Sequence, residues 1–195
     1  MREAVYFDDV RTRFGTFRLA ASERGLTAVQ FPRQFVLKKQ DASRKIPTEA
    51  KKVLKTGKHF IKDYFSGKQS HGFHIPVDWR SLSLFETRVL KTLRKTPPSS
   101  TLSYSDLAKR SGCQAGARAV GNALARNPLP ILIPCHRVVR KDQSLGGFSG
   151  GLHWKRTLLS LESSLRGTFQ SRPKQSQRLL RFARNDGFSG VNKKH

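Results

Sequence analysis

Two short helical segments that meet at a tight turn limit the fold of this chain more than any other feature. Ser103 and Asp106 have the spacing of a helix N-cap, and Gly112 predicts the end of the first segment. The second segment spans about residues 115–126 and ends at Asn127-Pro128. DNA-binding helix-turn-helix units and ordinary helical hairpins share this pattern, and the pattern alone does not separate them.

The second segment has an unusual composition for a helix. Glycine costs about 1 kcal/mol in a helix interior relative to alanine, so repeated glycine needs a packing or binding reason. Arg118 is the one long cation in the middle of the run. A helix lined with small residues admits close approach, either by another helix or by a nucleic-acid backbone. The small residues are Ala115, Gly116, Ala117, Ala119, Gly121 and Ala123.

A large excess of positive charge favours a polyanionic partner. The 195-residue chain has 38 Lys and Arg against 13 Asp and Glu, which gives a formal net charge of +25. A charge of this size opposes compaction and attracts polyanions, so nucleic acid is the first partner to consider and a membrane surface the second. Hydrophobic residues make up 36% of the chain, which is too many for general disorder.

The apolar segments of the sequence are all short. None approaches the ~20 residues that cross a bilayer, and the first nine residues lack the apolar core of a signal peptide. We therefore expect an intracellular, cytoplasmic protein with no membrane partner. The two cysteines, Cys113 and Cys135, are expected to be free thiols in such a reducing compartment.

Hydrophobic spacing outside the helix pair predicts an α+β fold. Residues 5–31 alternate like strands around a turn at residues 22–25. Residues 47–66 have helical spacing with Gly67 as the stop, and Ser83 with Glu86 has the spacing of a capping box before the next helix.

These elements divide the chain into three expected parts. Residues 1–76 form a small N-terminal α/β subdomain with an antiparallel sheet. Residues 80–165 form a mainly helical, winged-helix-like domain that contains the helix-turn-helix. Residues 166–195 are basic and polar, and we expect a flexible tail.

The segment around Cys135 carries the groups of a reactive cysteine. The apolar triplet at 131–133 predicts burial just before it, and His136 and Arg137 follow it directly. The thiolate is the nucleophilic form of cysteine, and nearby cations or a histidine base lower the pKa of a thiol. Glu162 lies on the apolar face of a predicted final helix, where a carboxylate needs a partner, and it is a candidate to orient His136.

Residue types alone leave two other interpretations of this cysteine open. A Cys-His-Glu set resembles the triad of a cysteine hydrolase. Adjacent residues in an extended segment point to opposite faces, so contact between Cys135 and His136 requires a turn or a bridging water. A buried structural cysteine beside a hydrogen-bonded histidine fits the residue types equally well.

Several blocks of the sequence resemble the O6-alkylguanine-DNA alkyltransferase family. The run Pro134-Cys135-His136-Arg137-Val138 is similar to the active-site signature of that family, and the preceding residues 127–133 match as well. The resemblance is strong over residues 84–162 and weaker over residues 5–76. Further matching blocks are Ser103-Tyr104, Ala117-Arg118-Ala119-Val120-Gly121, Gly147-Phe148-Ser149-Gly150-Gly151 and Lys155.

The resemblance implies direct-reversal DNA repair. Cys135 would attack the alkyl carbon on guanine O6 in a nucleotide flipped out of the duplex. His136 would act as base for the thiol through a water, and Glu162 would hold His136. Asn127 would brace the turn between the second helix of the pair and the cysteine segment.

The resemblance also implies contacts to the base and the duplex. Arg118 would enter the duplex and fill the gap left by the base, with Ala117 beside it in the minor groove. Tyr104 would press on the phosphate backbone and donate to the flipped base. The remaining expected contacts are the carbonyl groups of Cys135 and Val138, the side chain of Arg137, and Phe148 and Ser149 in the glycine-rich loop.

A family member of this kind is a single-turnover methylated-DNA–protein-cysteine methyltransferase. The thioether product has no good leaving group, and Cys113 is expected to be structural. We expect no cofactor and no metal, because the N-terminal part lacks the cysteines with which some relatives bind zinc. The expected partner of this monomer is double-stranded DNA that contains O6-alkylguanine, with O4-alkylthymine as an alternative. A non-catalytic damage binder and a multiple-turnover hydrolase are the competing functions.

Overall fold

The computed structural model describes residues 4–34, 45–68, 72–113 and 116–164. The predicted basic tail, residues 166–195, lies outside the described residues, as does most of the basic segment after residue 34. The first part of the fold contains three strands and one long helix. These are β1 (Tyr6–Thr12), β2 (Gly15–Ser22), β3 (Gly25–Gln30) and α1 (Thr48–Ser66).

The second part of the fold is mainly helical. Two short 3-10 turns, Gly72–His74 and Cys135–Arg137, come before and within it. Its longer elements are α2 (Leu84–Arg94), β4 (Leu102–Ser103), α3 (Tyr104–Arg110), α4 (Gly116–Ala125), β5 (Val138–Val139) and α5 (Leu152–Ser164). No helix among the described residues is long and apolar enough to cross a membrane.

The N-terminal strands form an antiparallel sheet in the order β1-β2-β3. The predicted turn is confirmed, since β2 ends at Ser22 and β3 begins at Gly25. Phe17 and Leu19 are fully buried, as their alternation predicts. Their polar neighbour Arg18 is also buried, because its guanidinium pairs with Asp9 on β1 at 2.8 Å.

Helix α1 packs its apolar stripe against this sheet. Its buried side chains include Leu54, Ile61 and Phe65. Gly57 faces β2 so closely that a Cβ atom there would lie 2.7 Å from a methyl group of Leu19, so glycine sets the helix–sheet distance. The helix ends at Gly67, which adopts the left-handed conformation at φ 88°, as its position in the sequence predicts.

The helices of the second part begin where the sequence predicts. Ser83 and Glu86 form a capping box at α2, and the Ser103 hydroxyl accepts from the Asp106 amide at the start of α3. Helices α2, α3 and α4 pack on one another through buried apolar side chains. These side chains are Val89, Leu90, Leu93, Leu107, Val120 and Leu124.

A short parallel ladder joins the helix pair to the cysteine segment. Leu102 pairs with Val138, and Ser103 pairs with Val139, between β4 and β5. This ladder fixes the start of α3, and therefore Tyr104, beside the residues that follow Cys135. This ladder was not predicted, because two-residue strands carry no measurable period in the sequence.

The two parts of the fold share one hydrophobic core. Trp154 of α5 packs against both Phe17 and Phe31, with ring centroids 5.4 and 4.8 Å away. The Val29 amide on β3 donates to the Pro128 carbonyl at 2.8 Å. The sheet therefore supports both α5 and the turn that leads to the cysteine segment.

Candidate active site

Cys135 begins a 3-10 turn at the edge of the core. The apolar triplet before it is buried as predicted, and Cys135 and His136 are 4% and 0% exposed. The turn removes the strict alternation of an extended strand, so the two side chains need not point to opposite faces. Cys113, the other thiol of the chain, is half-buried near the turn between α3 and α4, and both cysteines are free.

Asn127 holds the sulfur of Cys135 from the end of α4. Its side-chain amide donates to the Ile133 carbonyl at 2.9 Å and to Cys135 Sγ at 3.1 Å. Its Oδ1 accepts from the Leu129 amide at 3.1 Å. One buried side chain therefore fixes the turn after α4 and supplies a hydrogen-bond donor to the sulfur.

His136 is paired with Glu162 of α5. The distance from His136 Nε2 to Glu162 Oε1 is 2.9 Å, and both side chains are buried. A carboxylate only accepts, so Nε2 carries the hydrogen and Nδ1 is the basic nitrogen. Nδ1 is buried and has no hydrogen-bond partner among the described residues. Burial lowers the pKa of His136, against the opposing effect of Glu162, so the imidazole is neutral at neutral pH.

Glu162 is the centre of a buried polar network. Burial alone would raise the pKa of its carboxyl, but His136 and Arg137 together hold that pKa well below its ordinary value. The Ser99 amide also donates to Glu162 Oε2 at 3.0 Å. Glu162 is therefore a fully ionised carboxylate inside the core.

Arg137 faces this network. Its guanidinium donates to Glu162 at 2.7 Å and to the Thr96 carbonyl, and its side chain is only 7% exposed. The structure does not support the expected DNA contact by Arg137, because its donors are turned inward to Glu162. It also does not place Arg137 on the thiol, where the sequence analysis expected a cation to act.

The cation that acts on the thiol is Lys155 of α5. It is fully buried and donates to the carbonyls of Val138 at 2.6 Å, Gly147 at 3.2 Å and Leu145. Burial lowers the pKa of Lys155 to about 8. The lysine ties the glycine-rich loop to the segment after Cys135, a role for which the sequence analysis assigned no residue.

The thiol of Cys135 has a pKa above its ordinary value. Burial is the main cause, and the hydrogen bond from Asn127 and the charge of Lys155 act in the opposite direction. The expectation of a lowered thiol pKa is therefore wrong for the isolated protein. The free energy lost by removing the thiolate from water exceeds the stabilisation that Asn127 and Lys155 give it.

Tyr104 and the glycine-rich loop lie against each other. Tyr104 is half-buried at the start of α3, and burial first and a charge on Cys135 second raise its pKa. A Cβ atom on Gly146 would lie 2.8 Å from the Tyr104 hydroxyl, so glycine is needed there for the loop to approach the tyrosine. Phe148 packs edge-on against Phe31 at 5.9 Å, and Ser149 is exposed.

Two expected DNA contacts lie on the outer surface of the helix pair. Ala117 and Arg118 are exposed near the start of α4. Val138 is fully buried, and its carbonyl already accepts from Lys155. A carbonyl has two lone pairs, so the contact between Val138 and a base stays a prediction.

Two residues of the Glu162 network, Tyr64 and Ser99, were not predicted from the sequence. Tyr64, near the end of α1, donates from its hydroxyl to Glu162 Oε1 at 2.9 Å. Its position fits the apolar stripe of α1, so the sequence gives no signal that separates it from an ordinary core residue. The approach of α1 to α5 depends on contacts between residues 98 positions apart in the chain.

The fold and the site define a class of protein: a helical domain with a pair of short helices and a buried, hydrogen-bonded cysteine, supported by an N-terminal sheet. Residues 84–164 match the family description "6-O-methylguanine DNA methyltransferase, DNA binding domain". Residues 1–79 match "6-O-methylguanine DNA methyltransferase, ribonuclease-like domain". The chain belongs to the 6-O-methylguanine DNA methyltransferase family, and the expected α+β fold class is confirmed.

Three relatives share one name and match this chain over different shares of its length. A methylated-DNA–protein-cysteine methyltransferase of Methanosarcina barkeri is 34% identical over 82% of this chain and 98% of that protein. One of Methanocaldococcus vulcanius is 41% identical over 57% of this chain and 68% of its own length. One of Mycolicibacterium paratuberculosis is 43% identical, and the match spans 51% of this chain and 59% of that relative.

Two solved structures from Mycobacterium tuberculosis are similar to this chain over most of its length. The Mycobacterium tuberculosis OGT in complex with DNA has a TM-score of 0.68 and 28% identity, over 89% of this chain and 98% of that one. The Mycobacterium tuberculosis O6-methylguanine methyltransferase has a TM-score of 0.66 and 32% identity, over 83% of this chain and 94% of that one. A homologue has thus been crystallised with DNA, and this chain carries the DNA-binding domain of its family.

Proposed function

We propose that this protein repairs O6-methylguanine in DNA by transferring the methyl group to the sulfur of its own Cys135. The observation that carries the proposal is the arrangement around that sulfur. Asn127 donates to it at 3.1 Å, and it begins the turn that contains His136, which pairs with Glu162 of α5 at 2.9 Å. The relatives named above are methylated-DNA–protein-cysteine methyltransferases, which supports the same activity here.

The reaction requires the thiol to lose its proton before it attacks. Nδ1 of His136, which has no hydrogen-bond partner in the described part of the chain, is a suitable base that acts through one water, and Glu162 stabilises the imidazolium that forms. A new S–C bond forms as the bond from the methyl carbon to guanine O6 breaks. Guanine leaves with the bonding electron pair and regains a proton, which restores its normal form.

Lys155 and Asn127 stabilise the thiolate form of the buried Cys135. Both oppose the effect of burial on the pKa of Cys135. A thiolate that is buried and poorly solvated is a strong nucleophile once formed, since little water must be displaced before it attacks. The tight contact between Gly146 and Tyr104 sets one wall of the space in which the base would sit.

A base stacked in duplex DNA cannot reach a buried sulfur. The nucleotide must therefore be flipped out, at a cost of a few kcal/mol. Arg118 is exposed on α4, where it is suited to fill the gap in the duplex. The small side chains around it fit a minor groove that is only ~6 Å wide. The net charge of +25 supports sequence-independent binding to phosphates.

The proposed reaction occurs once per molecule. A thioether is a poor leaving group, and Cys113, the only other cysteine of the chain, is near the turn between α3 and α4. We expect a monomer without cofactor or metal, acting inside the cell on double-stranded DNA with O6-alkylguanine. O4-alkylthymine is the alternative base, since it presents the same alkyl carbon on an exocyclic oxygen.

A comparison of two cysteine variants tests this function. The protein, Cys135→Ala and Cys113→Ala are each mixed with a duplex containing one O6-methylguanine, and restored guanine is measured by chromatography of the digested DNA. We expect restoration by the protein and by Cys113→Ala, and none by Cys135→Ala, which still binds the duplex. Restoration by Cys135→Ala would overturn the mechanism, and binding without restoration by the unmodified protein would indicate a non-catalytic damage binder.

A further inference from the structure

Helix α1 brings a hydroxyl group from the N-terminal part into the active-site network. The Tyr64 hydroxyl lies 2.9 Å from Glu162 Oε1 and 3.5 Å from His136 Nε2. Tyr64 is 7% exposed. Through this hydroxyl, α1 contacts the His136–Glu162 pair, which takes the proton of Cys135 in the proposed reaction.

The position of this hydroxyl is fixed by aromatic packing. The ring of Tyr64 lies edge-on to Phe65, with centroids 5.3 Å apart, and 6.3 Å from the ring of Phe60. Burial, followed by the negative charge of Glu162, raises the pKa of Tyr64 well above its ordinary value. The phenol therefore stays protonated at neutral pH and donates to Glu162.

The hydroxyl shares one carboxylate oxygen with the catalytic histidine. Glu162 Oε1 accepts from Tyr64 at 2.9 Å, from His136 Nε2 at 2.9 Å and from Arg137 at 2.7 Å. Donors on one oxygen compete, because each withdraws part of the negative charge that the others use. A neutral phenol on Oε1 therefore weakens the pull of Glu162 on the proton of an imidazolium.

We propose that Tyr64 is a positioning residue that sets the proton affinity of His136 through Glu162, and so links the N-terminal part to the chemistry at Cys135. The inference rests on the proposed function for its link to methyl transfer. The charged groups that face the pair are Arg137 of the 3-10 turn and Lys155 of α5, and both remain when Tyr64 is changed. The Ser99 amide on Glu162 Oε2 also remains.

Tyr64→Phe tests the proposal because it removes only the hydroxyl. Without that donor, the carboxylate holds the imidazolium more strongly, and we expect the pKa of His136 to rise by about half a unit or more. The pKa is measured by NMR titration of the His136 imidazole in the full chain, without DNA. The acid limb of methyl transfer to Cys135 moves to higher pH by the same amount.

Tyr6→Phe is the matched control, since it removes a hydroxyl from the same core at β1. It should leave the His136 titration and the acid limb unchanged. A purely structural role for Tyr64 lowers the thermal midpoint of Tyr64→Phe but moves neither pH curve. That result, or a His136 titration identical to that of the unmodified protein, would overturn the proposal.

Replacing the three tyrosines of the chain with 3-fluorotyrosine gives a second measurement that keeps the ring and the hydroxyl. Fluorine makes the phenol a better donor, so the pKa of His136 should fall rather than rise. An unchanged or raised pKa contradicts the proposal even if Tyr64→Phe does not fold. Because the imidazole titration needs no DNA, a failure of methyl transfer in the unmodified protein would count against the proposed function and not against the role of Tyr64.

Discussion

The sulfur of Cys135 lies in surroundings that suppress its ionisation. Burial raises its pKa, while Asn127 and Lys155 partly compensate through a hydrogen bond and a positive charge. A thiol of this kind reacts slowly with general alkylating reagents and rapidly only when a substrate is placed against it. At the scale of single residues, selectivity for a flipped base and low general reactivity therefore have the same cause.

Asn127→Ala should slow methyl transfer about tenfold at neutral pH, since a hydrogen bond to a charged group contributes about 1.5 kcal/mol. The rate falls because the thiolate loses a hydrogen-bond donor, which moves the pKa of Cys135 further above its ordinary value. The curve of Cys135 alkylation by iodoacetamide against pH should move to higher pH. Asn122→Ala, an exposed position on α4, is the control. An Asn127→Ala curve that coincides with that of the control would contradict this role.

The elements differ in how well local sequence determines them. Helices α1 and α2 were predicted because each carries an apolar stripe and an end signal such as Gly67 or the Ser83–Glu86 pair. The 3-10 turn at Cys135 and the β4–β5 ladder were not predicted, because they arise from contacts between distant segments. Hydrophobic periodicity did not show whether the α3–α4 pair is a DNA-binding unit or a simple helical hairpin. The family match shows that it belongs to a DNA-binding domain.

Arg118→Ala tests the role of α4 as an element. The side chain is exposed and should matter only where a duplex must be held open. We expect repair of a methylated duplex to slow by about tenfold or more, since unstacking costs a few kcal/mol, while transfer from the free alkylated base is nearly unchanged. Rates on both substrates are measured in single-turnover experiments. Lys109→Ala, on α3, is the matched control for loss of one positive charge, and equal losses of Arg118→Ala on both substrates would contradict base flipping by this residue.

At the scale of the whole molecule, one buried carboxylate connects three distant segments. Glu162 of α5 accepts from Tyr64 of α1, from Arg137 of the cysteine turn, and from Ser99 before β4. The pairing of Glu162 with His136 was predicted from a carboxylate on an apolar face. Tyr64 and Ser99 were not predicted, because a tyrosine in an apolar stripe and a serine in a loop have common structural roles. The resemblance placed Arg137 among the DNA contacts, and its position beside the nucleophile gives no sign of which way its side chain points.

Glu162→Gln should destabilise the protein by about 3–5 kcal/mol at neutral pH, because it leaves a buried arginine without its counter-charge. The pKa of Glu162 is depressed in the folded state, so its contribution is present above the ordinary value of 4.5 and is lost as the pH falls below it. The difference between the two proteins in free energy of unfolding should therefore shrink from pH 7 to about pH 3.5 in urea titrations. Glu49→Gln, at an exposed position on α1, should show little difference at either pH. A difference in free energy of unfolding that stays constant or increases below pH 4.5 would contradict an ionised Glu162.

The central claim is that Cys135 accepts the methyl group and keeps it. The direct measurement mixes the protein with an excess of duplex whose O6-methylguanine carries an isotopic label in the methyl group, and follows the label bound to protein over time. We expect a plateau at one methyl group per chain, with all of the label in the peptide that contains Cys135. Label that never joins the protein, or DNA repair that continues after the plateau, would contradict the account.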